Sequence, residues 1–327
     1  MKKAVLIGCG AISENHLAIL HEMPEVDLTA VCDISPEAAR QALSREGISL
    51  PIYTDYKEML EKEKPDAVHI CTPHFLHAEM AIYALDRGVN VFLEKPACMT
   101  PEELPLLEAA VERSCAILCV SFQNRFLSAV EKAKEVLKDP GTGKILGGRA
   151  IVTWMRNGAY YTESPWRGRI ATEGGSVLIN QSIHSLDLLL QFLGDPDSVQ
   201  GAIGTYATAP HNDTEDTAHI YMTFPDGKSG VFFATNNYCK TTSAQIDIVC
   251  ENKTLSLAAD RLFIDRQLVF EGKRGRILGK AAWGKGHGIL IDAFYRALEE
   301  GGKSPVPLES AARSLKVIWE VYRQNRA

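Results

Sequence analysis

The sequence predicts an α/β protein in which a doubly wound parallel sheet is followed by an α+β domain with an open, mostly antiparallel mixed sheet. The chain has 327 residues, which is long enough for two domains. Apolar runs alternate with helical patterns over roughly the first 120 residues, an order typical of a doubly wound sheet. Beyond residue 198, strand-like runs follow one another without helices, which indicates antiparallel pairing. We therefore expect domains at 1–122 and 123–327, with the last helix free to pack back on the first domain.

The strands of the first domain are predicted from apolar runs that are too continuous for a sheet with one solvated face. These runs lie at 4–7, 28–32, 67–71, 89–93 and 116–121. Helical patterns lie at 11–22, 36–46, 55–63, 76–86 and 102–113. Ser35-Pro36 and Thr100-Pro101 each offer an N-cap followed by a proline at the first helical position.

The second domain is predicted to begin with a helix at 127–138 and a strand at 148–154. An irregular segment at 156–173 precedes an apolar helix at 176–193. Strand-like runs follow at 198–208, 215–224, 229–236, 244–250, 254–258, 261–265 and 267–271, and helices at 288–300 and 309–325. The segment 272–287 carries Lys273, Arg274, Arg276, Lys280 and Lys285. It indicates a solvated basic loop, with a lid that attracts an anionic group as the alternative.

The composition narrows the function classes. A net charge of −6 gives no sign of a basic surface for nucleic acid or anionic lipid. Eight cysteines without a CxxC pair indicate buried, reduced thiols and no zinc site or disulfide framework. No apolar run reaches the roughly 18 residues that a membrane helix needs. We expect a cytoplasmic protein without nucleic-acid or membrane partners.

The first strand leads into a glycine turn. Gly8 permits the tight turn, and Gly10 lets the backbone approach a pyrophosphate at the amino end of the next helix. Ser13 takes the third position, where glycine or alanine is usual. Asp33 follows 20 residues later at the end of the next strand, where a carboxylate accepts hydrogen bonds from an adenosine ribose and repels a 2′-phosphate. This favours NAD over NADP; the alternative is a structural turn near an unrelated aspartate.

Lys95 is the most informative residue of the sequence, because it lies between the run at 89–93 and Pro96. A proline restricts the preceding residue to extended backbone, so Lys95 is predicted at a strand end. Ligands of open α/β sheets bind outside the carboxyl ends of the strands, where a lysine can meet both a cofactor and a substrate. The alternative is a solvated surface lysine.

Another strand end carries Thr72, Pro73 and His74, with His77 three residues further on. The two histidines have no third metal ligand nearby in the sequence, so pocket lining or helix capping is predicted in preference to a metal site.

The helix at 176–193 carries a polar stripe. Asn180, His184, Asp187 and Gln191 are spaced by 4, 3 and 4 residues, which indicates a buried polar pocket or else a core histidine hydrogen-bonded to Asn180. Histidine has the ordinary pKa that suits proton transfer near neutral pH. Aromatic and arginine side chains in the preceding loop suit a sugar and an anionic group, or anchor a domain interface. They are Arg156, Tyr160, Tyr161, Trp166 and Arg167.

Taken together, these motifs resemble the Gfo/Idh/MocA oxidoreductases, the family of glucose–fructose oxidoreductase and inositol dehydrogenase. The resemblance runs over nearly the whole chain. It includes the glycine turn, Cys71-Thr72-Pro73 through His77, Glu94-Lys95-Pro96, Trp166-Arg167-Gly168, Glu173-Gly174-Gly175 through His184 and Asp187, and Gly286-His287-Gly288. It implies a Rossmann domain, NAD(P) as cofactor, a sugar or polyol substrate, and a homodimer or homotetramer assembled through the second sheet.

The same resemblance implies roles for individual residues. Lys95 and His184 match the catalytic lysine and histidine, and Asn180, where polyol dehydrogenases usually carry aspartate, orients the substrate or cofactor. The implied cofactor-binding residues are Gly8, Gly10, Ala11, Ile12, Ser13, Asp33, Thr72, Pro73, His74, His77, Glu94, Lys95, Gln123, Trp166 and Arg167. The implied substrate-binding residues are Lys95, Arg156, Tyr160, Asn180, His184 and His287.

The predicted reaction is hydride transfer between the nicotinamide and a secondary hydroxyl of a sugar, polyol or sugar derivative. Either Lys95 or His184 serves as the formal base. One alternative is an NAD-assisted glycoside-cleaving enzyme with a closed redox cycle, which accumulates no free NADH. Another is a non-catalytic NAD- or sugar-sensing protein, which has no need for both Lys95 and His184.

Overall fold

A computed structural model of the chain describes residues 1–208, 212–272 and 286–326. These residues form two compact units. The first contains 1–123 and 286–311, and the second contains 124–208, 212–272 and 312–326. The basic residues between 273 and 285 that the sequence assigns to a loop or lid lie outside the described residues.

The first unit is built on a six-stranded parallel sheet of order β3-β2-β1-β4-β5-β6. Its elements are β1 (Lys2–Ile7), α1 (Ser13–Glu22), β2 (Val26–Cys32), α2 (Pro36–Glu46), β3 (Ile52–Tyr53), α3 (Tyr56–Glu63), β4 (Ala67–Ile70), α4 (His77–Leu85), β5 (Asn90–Leu93), α5 (Glu103–Arg113) and β6 (Leu118–Val120). The predicted doubly wound fold is confirmed. Only β3 has no predicted counterpart, because two residues are too few to show a hydrophobic pattern.

Local signals in the sequence explain where two of these helices begin. Ser35 accepts a hydrogen bond from the backbone N–H of Ala38, and Gly47 ends α2 in the left-handed conformation. Asp55 caps α3 in the same way, through the N–H of Lys57. The expected cap at Thr100 is wrong. The carboxylate of Glu103 instead accepts hydrogen bonds from the N–H groups of Met99 and Thr100.

The second unit holds an eight-stranded sheet of order β14-β13-β12-β11-β7-β10-β9-β8. Its elements are α6 (Ser128–Lys138), β7 (Ile145–Thr153), α7 (Gly158–Thr162), α8 (Ile170–Glu173), α9 (Ile183–Leu193), β8 (Ser198–Gly204), β9 (Thr217–Thr223), β10 (Ser229–Thr235), β11 (Gln245–Cys250), β12 (Thr254–Ala258), β13 (Arg261–Ile264) and β14 (Gln267–Glu271). Two helices follow in the chain: α10 (Gly286–Glu300), which belongs to the first unit, and α11 (Leu308–Asn325), most of which belongs to the second. The pairing of β10 with β7 is parallel and the other pairs are antiparallel, so the predicted mixed, mostly antiparallel sheet is confirmed.

The two faces of this sheet differ. One face packs against α9 and α6, and its side chains, such as Ile220, Phe232 and Ala150, are buried. On the opposite face, Tyr221 pairs across the strands with Val231, and both side chains are about half exposed. The second face is therefore an open apolar surface within this unit.

The predicted helix at 176–193 is wrong in its first turn. Residues Val177–Gln181 form a π-helical turn, and α9 begins only after Ser182. The N–H of Ser182 donates to the carbonyl of Val177, five residues back, which is the signature of this wider turn. Apolar residues alone do not distinguish a π turn from an α turn, since both bury the same side chains.

All eight cysteines are free, and six of them are buried. The prediction of buried thiols is confirmed for these six. Among the described residues, no helix combines the length and the apolar character needed to cross a membrane.

Candidate functional site

The glycine turn at the end of β1 contains two glycines that are required for different reasons. Gly8 has a φ of +91°, and a Cβ at this position would lie 2.7 Å from the carbonyl carbon and oxygen of Cys71. A Cβ at Gly10 would meet no atom within 4 Å. The fold therefore requires Gly8, whereas the space beside Gly10 is open to an approaching ligand. Ser13 is buried, and its hydroxyl donates to the carbonyl of Gly10 at 2.6 Å.

Asp33 lies at the same turn. Its Oδ2 accepts a hydrogen bond from the N–H of Cys9, and its Oδ1 accepts one from the N–H of Ser35, each at 2.8 Å. Each carboxylate oxygen has a second lone pair, so these bonds fix the group and leave it able to accept two more donors. A ribose diol offers two such donors, so the turn and Asp33 together fit an adenine dinucleotide.

The register of the sheet aligns three predicted site segments. Ile7 pairs with Ile70, and Ile70 pairs with Leu93, so β1, β4 and β5 end side by side. The segments that follow are the glycine turn, Cys71-Thr72-Pro73 and Glu94-Lys95-Pro96. Lys95 is half-buried, and the peptide bond between Lys95 and Pro96 is cis.

His74 and His77 follow β4 and are both buried. Their rings lie 5.8 Å apart between centroids. The Nδ1 of His77 lies 2.7 Å from the carbonyl oxygen of Pro96, and its Nε2 lies 2.8 Å from that of Thr72. Because both ring nitrogens already have hydrogen-bond partners, the predicted contact of His77 with a cofactor would have to be made by the carbon atoms of the ring.

Below Lys95, Glu94 ends a buried chain of hydrogen bonds. The hydroxyl of Tyr295 lies 3.0 Å from Nε2 of His69, and Nδ1 of His69 lies 2.8 Å from Nδ1 of His16. Nε2 of His16 then lies 3.1 Å from Oε1 of Glu94. His287 approaches the same oxygen at 3.5 Å, and Oε2 accepts from the N–H of Lys95 at 3.3 Å.

The carboxylate determines the direction of every bond in this chain. Because an ionised carboxylate only accepts, Nε2 of His16 must carry the proton, and Nδ1 of a neutral His16 must then accept from His69. Nε2 of His69 in turn accepts from Tyr295. Burial lowers the pKa of His16 and holds that of His69 well below 6.5. Burial also acts to raise the pKa of Glu94, but hydrogen bonds from His16 and His287 hold it well below 4.5.

The same cluster brings three possible metal ligands together. Ligand atoms of His16, Glu94 and His287 lie within 4.8 Å of one another. A metal ion here would have to replace the proton on Nε2 of His16 that the hydrogen-bond chain already uses. Hydrogen bonding therefore explains the cluster without a metal.

Gln123 and the start of α10 lie together in the first unit. A Cβ on Gly286 would overlap the carbonyl oxygen of Gln123, so this glycine allows the close approach. His287 is the next residue and is buried beside Glu94, whereas the sequence predicts it as a substrate ligand. Its predicted role stays a prediction.

In the second unit, the predicted loop residues form a cluster around Tyr160. The guanidinium carbons of Arg156 and Arg167 lie 5.2 and 4.5 Å from the centre of its ring. Gln181 donates to the Tyr160 hydroxyl and accepts from Arg156 at 3.2 Å. Burial raises the pKa of Tyr160, so its phenol stays protonated. Trp166 also lies beside Arg167, at 5.7 Å from its ring centre to the guanidinium carbon.

Neither arginine of this cluster has an ion-pair partner among the described residues. Arg156 donates to the carbonyl of Met155 and to the amide of Gln181, which are both neutral acceptors. The Nε atoms of Arg156 and Arg167 are buried without a hydrogen-bond partner in the part of the chain that the structure describes. The residues outside that part include no aspartate or glutamate. The cluster can therefore bind an anionic group.

Asn180 and His184 lie on either side of the break at Ser182. Asn180 donates from Nδ2 to the buried carboxylate of Glu173, which also accepts from the N–H of Gly168. This orients the Asn180 amide. His184 is half-buried in the first turn of α9.

The predicted polar stripe is not continuous, because the π turn offsets Asn180 from the spacing of α9. Asp187, which belongs to the predicted stripe, forms an ion pair with Arg125. Arg125 donates to both of its oxygens, from Nε at 2.8 Å and from Nη2 at 2.6 Å, and both side chains are buried.

Sequence reasoning missed several residues that support these sites. Glu173 and Arg125 carry charges whose partners are distant in sequence, and neither shows a pattern by itself. Of these residues, only His16 has an unusual sequence position, because a histidine is rare in the first turns of an apolar helix directly after a glycine turn. That position does not reveal its partners, His69 and Glu94, which only the fold brings into contact with it.

Two models of known protein families match the sequence. Residues 2–122 match the oxidoreductase family with an NAD-binding Rossmann fold. Residues 130–256 match the GFO/IDH/MocA C-terminal domain. Together the two ranges cover more than half of the chain.

Two curated relatives are named as dehydrogenases of carbohydrates. The chain is 29% identical over 197 residues to D-glucoside 3-dehydrogenase of Escherichia coli strain K12, covering 59% of this chain and 54% of that protein. It is 28% identical over 211 residues to levoglucosan dehydrogenase of Pseudarthrobacter phenanthrenivorans, covering 62% of this chain and 53% of that protein. The matches thus span about half the length of these relatives.

A solved structure is similar over nearly the full length. The WlbA dehydrogenase from Bordetella pertussis, in complex with NADH and UDP-GlcNAcA, gives a TM-score of 0.85 at 25% identity. The match covers 98% of this chain and 95% of that chain. The family models, the fold and the site segments agree: the chain belongs to the Gfo/Idh/MocA family of NAD-binding oxidoreductases.

Proposed function

We propose that this protein is an NAD-dependent dehydrogenase that transfers a hydride between the nicotinamide and a secondary hydroxyl of a sugar, polyol or sugar derivative. The observation that carries the proposal is the alignment of β1, β4 and β5. Their register brings the glycine turn, Thr72 and Lys95 to one edge of one sheet. A catalytic lysine beside a dinucleotide-binding turn suits oxidation of an alcohol.

NAD is the proposed cofactor. Gly8, Gly10 and Asp33 hold its pyrophosphate and adenosine ribose, with Ala11, Ile12 and Ser13 completing the turn. Asp33 disfavours NADP because its charge repels a 2′-phosphate. When bound, the cofactor supplies the acceptor for the hydride. The further proposed contacts are Thr72, Pro73, His74, Glu94, Gln123, Trp166 and Arg167.

Side chains of the protein bind the reacting oxygen and accept the proton of the hydroxyl group. Lys95 donates a hydrogen bond to the reacting oxygen, and His184 takes the hydroxyl proton. Asn180 cannot accept a proton and instead orients the substrate, held in place by Glu173. This assignment needs no aspartate at position 180.

We propose a carboxylated or otherwise anionic sugar as the substrate class. Arg156 lies beside the ring of Tyr160 without an ion-pair partner among the described residues, and Arg167, which is also proposed as a cofactor contact, lies beside the same ring. A carboxylate forms strong, charge-assisted hydrogen bonds with guanidinium groups, and an aromatic ring packs against sugar C–H groups. UDP-GlcNAcA, which is bound by the WlbA dehydrogenase, is a carbohydrate derivative that belongs in the test panel.

The test is the formation of reduced nicotinamide, followed by ultraviolet absorbance, with NAD and NADP and a panel of neutral sugars, polyols, sugar acids and nucleotide-linked sugars. Turnover with NAD and a sugar acid is the expected result. Consumption of a glycoside without free NADH would instead establish the closed redox cycle. Binding of NAD without any turnover would favour a sensor.

Two variants check the role of Lys95. Lys95→Met should abolish turnover while NAD binding, measured by calorimetry, stays largely intact. Lys303→Met, at an exposed lysine of the same unit, is the matched control and should retain full activity. Turnover by Lys95→Met at the wild-type rate would contradict the assignment.

We also propose that the protein forms a homodimer or homotetramer through the open face of the second sheet, where Tyr221 and Val231 are exposed. Light scattering should give a mass of at least twice 36.0 kDa. Tyr221→Asp combined with Val231→Asp should yield the monomer, whereas Leu106→Asp, at an exposed leucine in α5, should not. A monomeric wild type would refute this proposal.

A further inference from the structure

The surroundings of His77 define the protonation of its ring. Its Nδ1 lies 2.7 Å from the carbonyl oxygen of Pro96, and its Nε2 lies 2.8 Å from the carbonyl oxygen of Thr72. A carbonyl oxygen only accepts hydrogen bonds, and a neutral imidazole has a single N–H to donate. In a neutral ring, one nitrogen lone pair would point at a carbonyl lone pair at less than 3 Å. Both distances also lie in the range of charge-assisted hydrogen bonds.

The charged groups around the ring act in both directions. Burial is the largest influence and lowers the pKa of His77 from its ordinary value, and hydrogen bonds to the carbonyls of Pro96 and Thr72 act against that lowering. The charge of Glu94 also raises this pKa, and that of Lys95 lowers it. The amino end of α4 opposes a positive charge as well. The ring of His74 is the other titratable group beside it. Of these groups, only the carbonyls constrain both nitrogens at once.

The two carbonyls belong to the two segments on which the active site depends. Thr72 follows β4, and Pro96 directly follows Lys95. His77 is the first residue of α4, so its ring connects a helix to the ends of two neighbouring strands. The bond to Pro96 fixes the backbone immediately after Lys95.

Because a neutral ring can donate to only one of the two carbonyls, we propose that this geometry outweighs burial, that His77 is an imidazolium in the folded protein with both ring nitrogens protonated, and that it is a positioning residue for Lys95. The ring donates to the carbonyls of Thr72 and Pro96 and thereby holds the backbone that carries the lysine. The charge of the buried Glu94 carboxylate favours the charged ring. The part of this proposal that concerns Lys95 rests on the proposed dehydrogenase function, whereas the protonation of His77 does not.

The decisive measurement is NMR of the wild-type protein labelled with ¹⁵N in its histidine rings, with the His77 signals assigned by their loss in His77→Gln. At about pH 7.5, one unit above the ordinary histidine pKa, both ring nitrogens of His77 should resonate as protonated N–H. One nitrogen with the shift of a lone-pair nitrogen would overturn the proposal. This measurement needs neither a substrate nor a cofactor.

The positioning role is tested by kinetics. Glutamine can donate to one carbonyl, but its own oxygen opposes the other, so His77→Gln should lower kcat, by up to about a hundredfold for a misplaced catalytic group. His21→Gln, at an exposed histidine of α1, is the matched control and should leave kcat unchanged. An unchanged kcat in a folded His77→Gln would refute the positioning role. If His77→Gln fails to fold, His77→Gly provides the test, and added imidazole should restore its activity. A folded His77→Gly that imidazole does not rescue would also refute the positioning role.

Discussion

The hydroxyl of Tyr322 occupies the space that a side chain at Gly175 would need. A Cβ on Gly175 would overlap this hydroxyl and lie 2.7 Å from the Cζ carbon that carries it. The same hydroxyl donates at 2.7 Å to Glu215, whose carboxylate also accepts from the N–H groups of Ser176 and Leu178. The carboxyl-terminal helix thus anchors the start of the π turn that carries Asn180.

Gly175→Ala should therefore destabilise the protein by about 1–3 kcal/mol or more, because the added methyl group overpacks a filled site. Urea unfolding measures the change. Gly288→Ala is the control, since a Cβ there meets nothing within 4 Å, and alanine should stabilise α10 by about 0.5–1 kcal/mol. Equal stability of Gly175→Ala and wild type would show that Tyr322 does not constrain this glycine.

The two glycines of the β1 turn should separate folding from cofactor binding. Gly10→Ala should leave stability unchanged or raise it by up to about 1 kcal/mol, because its Cβ has open space and its backbone is not in the left-handed region. It should nevertheless weaken NAD binding by about tenfold, or about 1.4 kcal/mol. Calorimetric titration measures the affinity, and full NAD affinity in Gly10→Ala would exclude a close approach of the pyrophosphate.

Gly8→Ala should lose stability instead. Its positive φ costs an L-residue about 1–2 kcal/mol, and its Cβ would meet the backbone of Cys71. Thermal unfolding compares the two variants, and a Gly8→Ala protein as stable as Gly10→Ala would contradict this account of the turn.

Asp33→Asn should shift the cofactor preference. Loss of the charge removes strong hydrogen bonds to the ribose, each worth about 1.5–3 kcal/mol, and removes the repulsion of a 2′-phosphate. NAD affinity should fall by about tenfold or more, and the ratio of NADP to NAD affinity should rise. The measurement is a pair of titrations, with the unfolding midpoint as a control because Asp33 also accepts from Cys9 and Ser35. An unchanged ratio would remove Asp33 from the cofactor site.

Stability should fall as the pH is lowered from about 7 to about 5. His16 and His69 stay neutral in the fold because burial lowers their pKa values, whereas in the unfolded chain they bind protons below about 6.5. The unfolded state then holds more protons, so each histidine contributes a loss of up to about 1.4 kcal/mol per pH unit. Urea unfolding over this range measures the slope.

His69→Phe should make the free energy of unfolding depend less steeply on pH, by the contribution of one histidine. The substitution should also lower the stability at all pH values. A slope that does not change in His69→Phe would mean that His69 is already charged in the folded protein.

The sequence was sufficient for the order of elements because most of them have strong local signals. Apolar runs marked the buried strands of the first sheet, and Ser35-Pro36 marked the start of α2. The break at Ser182 was not predictable, since the wider turn is fixed by bonds between Glu215 and the backbone of Ser176 and Leu178. Contacts between residues far apart in the chain leave no periodic signal.

The same distinction holds for the candidate site. The glycine turn, Asp33 and Lys95 were found because each follows a recognisable strand. The hydrogen-bond chain from Tyr295 to Glu94 joins residues of α10, β4 and α1 with the residue that directly follows β5, and only the fold brings them together. Its histidines appear in the sequence as isolated polar residues within apolar segments.

The distribution of the thiols makes the native protein ready for spectroscopic labelling. Six cysteines are buried, and burial raises the pKa values of Cys9 and Cys32 to about 12, so these thiols react slowly. The two exposed ones, Cys115 and Cys239, lie in different units. A pair of maleimide dyes or spin labels can therefore report the distance between the units, with and without NAD, in a chain that needs no substitution.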